Sequence, residues 1–441
     1  MVPCGSGPFF GLLWLWLGLV MDLPGTRDDD RLIPMLLKSY LLVAPISFYQ
    51  DPDGVVWLDP LWQRDLIAHF DYISDICVIA PRVSAEQPPK DWVPVRAPVG
   101  RVIAFHEFGE ANSGWSGILA KLPSDIRTAW SMVGQADLVH SGIAGWPIPP
   151  GMLFNPIAVL RRKPLILVVE SAFWRVQDRS SATFRAKVRA ALTEAFAKWS
   201  LRQASFAVFT STAYRESLPV GPSGTAMVLP ASWIAATDVL SGAAASLAWN
   251  NKPSAPRFLM ASRLSAEKGV GLFIEAVKII DAQGVPLTID VIGDGPLGAQ
   301  IVDVAANTRS VRLRLLQPVP YGPQFLKLLG GYHAAIVPTT GDEQPRIIYD
   351  ALSQAVPIIA TDTPGNREVL ADGRSGWLVR GGSADALAKA LIERAEHCDE
   401  LPQKGLSGLT VAHEYTHETM HRRRATAMLD LFGAKPKTTT G

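Results

Sequence analysis

The chain has 441 residues, 48% hydrophobic and 19% charged, and its 42 Lys and Arg against 41 Asp and Glu leave a formal charge of +1. That length supports two or three hydrophobic cores, and the charge balance excludes a strongly basic nucleic-acid binder and an acidic disordered chain. Cys4, Cys77 and Cys398 lie too far apart for a zinc spacing or a disulfide framework, which suits a reducing cytoplasm.

Residues 1–35 read as an N-terminal extension. Phe9 to Met21 is apolar but shorter than the roughly 20 residues that a membrane span needs. It also lacks the basic start and small-residue cleavage site of a secretory signal. The alternatives stay open: translation starts at Met21 or Met35, or the run is an interfacial anchor or a hydrophobic extension. No other stretch reads as transmembrane.

Residues 36–245 repeat one grammar of apolar strand, loop and amphipathic helix. Tyr40 to Ile46 is a strand, and Pro60 to Ile73 is a helix with Trp62, Leu66, Phe70 and Ile73 on one face. Further strands are expected at Asp75–Ala80, Val102–Phe105, Leu138–His140, Leu165–Val169 and Phe206–Thr210, and a long helix at Ala182 to Ala204. Around Gly242 to Pro256 the composition turns to Ala, Ser, Asn and Pro, and residues 246–256 read as a linker.

The grammar restarts over 257–410. Strands are expected at Arg257–Ala261, Leu287–Ile292, Val311–Leu315, Ala334–Pro338 and Pro357–Ala360. Helices are expected at Gly269–Ala282, Leu297–Ala306, Pro323–Leu329, Arg346–Gln354 and Ser383–Arg394. After a break at Pro402–Gly408, a last helix runs from Tyr415 to Leu431, and 411–441 is expected to pack back on the first domain. Alternating strands and helices give an α/β protein: two Rossmann-like, doubly wound parallel-sheet domains facing a cleft.

Four loops of the second half carry chemistry. Arg263 and Lys268 bracket a strand-to-helix loop, where two fixed cations and a helix N-terminus suit a diphosphate; a solvated loop is the plain alternative. Gly293-Asp294-Gly295 allows close backbone approach, but it is not the full dinucleotide fingerprint. Asp342 lies on a loop after a strand and Asp350 eight residues on in a helix. Carboxylates there can accept hydrogen bonds from sugar and ribose hydroxyls, or be an acidic loop and a helix-face residue. The fourth runs from Ala360 to Val379 through a glycine turn, with Glu368 on its helix.

In this order and spacing, the four loops resemble the retaining glycosyltransferases of the GT-B fold, family four (group-1 type). The resemblance covers roughly Arg257 to Arg394 and is most specific from Pro338 to Gly365. It implies transfer of a sugar, as a hexosyltransferase would, from a nucleotide-diphosphate sugar to an acceptor hydroxyl with retained configuration. Arg263 and Lys268 would bind the diphosphate, Asp342 would contact the donor sugar and Asp350 the ribose. Backbone amides of the run Gln344, Pro345, Arg346 and Ile347 would help to hold sugar and phosphates. Both motif glutamates are aspartates here, Glu343 stands where the family has Gly, and Gln344 replaces an aromatic residue. Glu343 would then share the acidic role.

In the first half the expected Gly-rich loop holds a single glycine, Gly54. His140, Glu170 and His106 end strands and are the acceptor-side candidates; Ser141-Gly142 after His140 permits close ligand approach. Asp51-Pro52-Asp53 resembles a metal motif of another transferase fold but reads as a solvated turn. No metal and no cofactor are expected beyond the sugar nucleotide as co-substrate. The resemblance implies a glycan or lipid-linked glycan acceptor in cell-envelope or exopolysaccharide synthesis. Arg161-Arg162-Lys163 and Arg422-Arg423-Arg424 suit peripheral contact with anionic lipid, or are solvated faces. The expected location is cytoplasmic, with no nucleic-acid partner. The competing readings are a dinucleotide-dependent epimerase or dehydrogenase and a non-catalytic sugar-nucleotide binder.

Overall fold

Short apolar runs such as Leu165–Val169, Phe206–Phe209, Ala334–Val337 and Ile358–Thr361 are buried almost end to end. Strands covered on both faces can dispense with polar alternation. In a computed structural model that describes residues 35–110, 115–143, 149–172, 174–176 and 183–433, these runs are interior strands of two parallel sheets. By contacts the described residues form two units. One holds 35–233, 342–344 and 417–433, and the other holds 234–341 and 345–416.

The first unit is built on seven parallel strands. Their spatial order is Thr225–Val228, Phe206–Phe209, Leu165–Val169, Leu138–Gly142, Leu36–Val43, Ile73–Arg82 and Val102–Glu110. From Leu36–Val43 the sheet winds outward through Ile73–Arg82, then the chain returns to add Leu138–Gly142 on the other side. The crevice beyond Val43 and Gly142 is therefore a topological switch point. Helices including Trp115–Gln135, Gly151–Leu160 and Phe184–Gln203 cover the sheet, and Ala129, Val133, Phe154, Ala158, Ala197 and Leu201 are buried in its core. A small antiparallel sheet of Tyr49–Gln50, Val56–Leu58 and Val93–Pro94 adjoins it.

The second unit has six parallel strands in the order Val311–Leu316, Leu287–Ile292, Arg257–Ala261, Ala334–Val337, Ile358–Thr361 and Gly376–Val379. Its order reverses between Arg257–Ala261 and Ala334–Val337. Asp290, whose side chain has no solvent exposure, sits in the strand Leu287–Ile292. It is compensated by Arg257 at 2.9 Å, Arg314 at 2.7 Å and the Tyr332 hydroxyl at 2.8 Å.

Several expectations change. The contact boundary falls between Trp233 and Ile234, and Gly242–Asn250 is a helix capped by Ser241 rather than part of a linker. Pro402–Gly408 is no break: Leu401–Glu414 is one helix, with proline in its first turn where no intrahelical N–H is lost. A Cβ at Gly405 would lie 2.0 Å from the Ala355 carbonyl, so the glycine serves close packing on the helix Ile347–Ser353. Cys77 is a free, half-buried thiol. Among the described residues no helix is long and apolar enough to cross a membrane. The apolar run Phe9–Met21, Trp146 and the tail beyond 433 lie outside the described residues.

Candidate functional site

At the switch point of the second unit, three loops leave neighbouring strands and interlock. Ser262 to Gly269 follows Arg257–Ala261, Gly293 to Leu297 follows Leu287–Ile292, and Pro338 to Gly341 follows Ala334–Val337. Leu264 donates its N–H to the Asp294 carbonyl at 2.8 Å and accepts from Leu297 N–H at 2.9 Å. Thr340 donates its N–H to the Glu267 carbonyl at 3.1 Å. Two glycines make this possible. Gly269 has φ +72°, and a Cβ there would stand 1.8 Å from the Pro338 carbonyl oxygen. Gly293 has φ +151°, and its Cβ would meet the Ser262 carbonyl oxygen at 1.8 Å.

The two cations stand on this frame. The Arg263 side chain is 73% exposed and lies 3.8 Å from Glu267. Glu267 is itself held by the Ser265 hydroxyl at 2.6 Å. Lys268 is half-buried in the single turn that precedes the helix Val270–Ala282. Asp294 is exposed, with its carboxylate accepting the Gly295 N–H at 2.7 Å. Arg346 is exposed, Ile347 half-buried and Pro345 buried. Asp350 is buried and accepts the Tyr321 hydroxyl at 2.9 Å; burial pushes its carboxyl up to about 7. It faces Tyr321 rather than solvent. Asp342, Glu343 and Gln344 group with the first unit. Asp342 is exposed and the other two are half-buried.

A cavity of about 270 Å³ opens at the switch point of the first unit. His140 and Glu170 line it, and His106 does not: it is exposed, and its neighbour Phe105 lines the wall instead. His140 Nδ1 meets the Tyr40 hydroxyl at 2.7 Å. Burial, with the nearby Arg424 charge, holds its imidazole well below the usual range, so it is neutral. Trp62 packs edge-on against Trp233 at 5.5 Å in the same wall.

The inner end of this cavity holds residues that sequence reasoning missed: Asp65, His69, His417, His421 and Arg424. His417 and His421 place Nε2 at 3.3 and 2.9 Å from one oxygen of Asp65. Burial opposes ionisation of Asp65, but these hydrogen bonds outweigh it and hold the carboxyl well below the ordinary range. His69 Nδ1 contacts the Asp65 carbonyl at 2.8 Å, and its Nε2 lies 3.4 Å from an Arg424 nitrogen. Arg424 thus parts from the exposed Arg422 and Arg423 and faces inward, so the three arginines are not one basic face. Ser141 Oγ, Ser232 Oγ and Arg424 Nε are sealed from solvent and have no hydrogen-bond partner among the described residues. The available signal was the four-residue spacing of His417 and His421. Asp51 accepts Val55 N–H at 2.8 Å and Trp57 Nε1–H at 3.1 Å, as a turn residue.

Comparison with known proteins places the second unit. Residues 255–397 match the family model described as glycosyl transferases group 1. The amylovoran biosynthesis glycosyltransferase AmsK of Erwinia amylovora is 28% identical over 180 residues, 38% of this chain and 43% of that protein. The putative colanic acid biosynthesis glycosyltransferase WcaL of Salmonella typhimurium is 27% identical over 144 residues, 31% of this chain and 36% of its own. The matches thus span less than half the length of these relatives. Among solved structures, sucrose-phosphate synthase from Thermosynechococcus elongatus superposes with a TM-score of 0.65 at 14% identity, covering 90% of this chain and 100% of that one. Anabaena HepE, solved in complex with UDP-glucose, gives 0.59 at 15% identity, covering 89% of this chain and 100% of its own. The fold is therefore that of the GT-B glycosyltransferases.

Proposed function

We propose that the protein is a retaining glycosyltransferase that moves a hexose from a nucleotide-diphosphate sugar to a hydroxyl of a growing exopolysaccharide or other cell-envelope glycan. The observation that carries this reading is the interlocked switch-point frame that presents Arg263 and Lys268 beside the loop Pro338–Gly341. The names of AmsK and WcaL support the pathway, and the UDP-glucose complex of HepE supports a uridine nucleotide donor.

In this reading the anomeric carbon gains oxocarbenium character as the diphosphate departs. Negative charge grows on the leaving phosphate, where Arg263, Lys268 and backbone amides around Gly293 and of Gln344 to Ile347 stabilise it. These cations do the work of a metal ion at the diphosphate. Asp342, with Glu343, accepts hydrogen bonds from the sugar, and Asp350 serves the ribose once its contact with Tyr321 is exchanged. The acceptor attacks from the face that the phosphate leaves, and a phosphate oxygen takes its proton, so no protein nucleophile is needed. The cavity beside His140 and Glu170 receives the acceptor, and exposed Arg422 and Arg423 support peripheral contact with an anionic membrane from the cytoplasmic side.

A thermal-shift panel of UDP-, GDP- and ADP-sugars tests the reading. One nucleotide class should raise the melting temperature of the wild type and leave Arg263→Ala/Lys268→Ala unmoved. A panel in which NAD alone stabilises the protein would replace this reading with the dinucleotide one.

A further inference from the structure

His417 and His421 lie one turn apart on the helix His417–Phe432, so both imidazoles project from one face. Asp65, on the helix Pro60–Ala68, meets them there. One ligand atom from each of the three lies within 4.8 Å of the others. Metal–ligand bonds of ~2.0–2.1 Å in a tetrahedral site put neighbouring ligand atoms ~3.3–3.4 Å apart. The Nε2-to-oxygen separations here are 3.3 and 2.9 Å.

We propose that Asp65, His417 and His421 bind one divalent transition-metal ion of the zinc class, with its fourth coordination position open to the cavity beside His140. Two imidazoles and one carboxylate are a ligand set that zinc accepts with a position left for water. The outer contacts fit as well. His421 Nδ1 faces the Tyr72 hydroxyl at 3.5 Å, the His417 ring stacks on Trp233 at 5.7 Å and 15°, and the second Asp65 oxygen lies 3.8 Å from His69 Nδ1. Without metal, the Nε2 protons of both histidines are donated to Asp65. Binding takes the Nε2 lone pair of each ring, so each imidazole carries its proton on Nδ1, and at His421 that proton faces the Tyr72 hydroxyl.

Charge balance specifies what else enters. A divalent ion and the Arg424 guanidinium against the Asp65 and Glu170 carboxylates still leave an excess of positive charge. A metal-bound hydroxide or an oxyanion in the cavity offsets it, and Arg424 Nε, Ser141 Oγ and Ser232 Oγ are the sealed, unpartnered groups in that wall. The proposal stands apart from the transfer reading, which places its cations in the other unit.

The test is metal binding by the full chain without donor. Chelator-stripped protein is titrated with zinc against a chromophoric competitor. The wild type should take up one zinc per chain. His421→Gln and Asp65→Asn should each weaken that binding by about 100-fold or more, at or beyond the ~10–100-fold cost of losing an outer-shell partner. His413→Gln, on an exposed helix residue, should leave it unchanged. Circular dichroism checks that each variant folds. If His421→Gln does not, His417→Gln and the visible spectrum of the cobalt-loaded wild type supply the answer, four-coordinate absorption being expected. Folded wild type that takes up less than one zinc, uptake that survives both substitutions, or a six-coordinate cobalt spectrum would overturn the site.

Discussion

Gly269 is where backbone conformation and the proposed donor site meet, so Gly269→Ala is an informative perturbation. The residue has φ +72°, and the added Cβ would stand 1.8 Å from the Pro338 carbonyl oxygen. A left-handed conformation costs a non-glycine residue about 1–2 kcal/mol. The clash is with backbone, so the loop Ser262–Gly269 must move off Pro338. That motion breaks the 3.1 Å bond from Thr340 N–H to the Glu267 carbonyl. A lost hydrogen bond adds about 0.5–1.5 kcal/mol, for a combined loss of about 1.5–3.5 kcal/mol. Gly271 is the internal control: it has no atom within 4 Å of a built Cβ and an ordinary φ. Within the helix Val270–Ala282, Gly271→Ala should leave stability unchanged or raise it by up to about 1 kcal/mol. Urea unfolding measures both, and calorimetric titration with UDP-glucose measures the site. Gly269→Ala should also weaken nucleotide binding, because Lys268 moves with the loop. Equal stability and affinity in Gly269→Ala and wild type would refute the reasoning.

Further expectations follow from buried charge. Asp290→Ala should destabilise the second unit by about 1–3 kcal/mol in urea unfolding, because the buried Tyr332 hydroxyl loses its acceptor while Arg257 and Arg314, about a third exposed, stay solvated. Asp350 has its carboxyl raised from 3.8 to about 7, so between those values the folded state holds more protons than the unfolded. Stability should therefore fall as pH rises through that window, by up to ~1.4 kcal/mol per unit, and Asp350→Asn should flatten the slope. Lys252, under the ring of Trp249, is lowered from 10.5 to about 7, so stability should rise with pH between about 7 and 10.5; Lys252→Met should remove that rise. Finally, UDP-glucose affinity should be the same with and without a chelator, since protein cations are proposed to hold the diphosphate.

Much of the second unit was legible because its strands are buried on both faces and read as unbroken apolar runs. Arg257–Ala261 and Leu287–Ile292 fall where the pattern places them. The first unit was harder. Its helices Trp115–Gln135 and Gly151–Leu160 carry Pro123 and Pro156 inside them, and the strands Tyr49–Gln50 and Val93–Pro94 are too short for a period. The helix Leu401–Glu414 was hidden by glycines whose reason is tertiary: Gly405 is pressed on Ala355 and Gly408 on Leu352. Arg263 and Lys268 could be singled out because a local loop brings them together. The set of Asp65, His417 and His421 could not, since contacts over 352 and 356 residues of separation leave no local trace. Asp350 was visible as a carboxylate, but its turn toward Tyr321 depends on a helix approach that no spacing encodes.

The most direct measurement of the central claim is calorimetric titration of UDP-glucose into wild type and into Arg263→Ala/Lys268→Ala. The account predicts saturable binding to the wild type, weakened by at least about 100-fold in the folded double variant, as expected when two charge-assisted contacts of about 1.5–3 kcal/mol each are removed. Binding of equal strength to both proteins would contradict it.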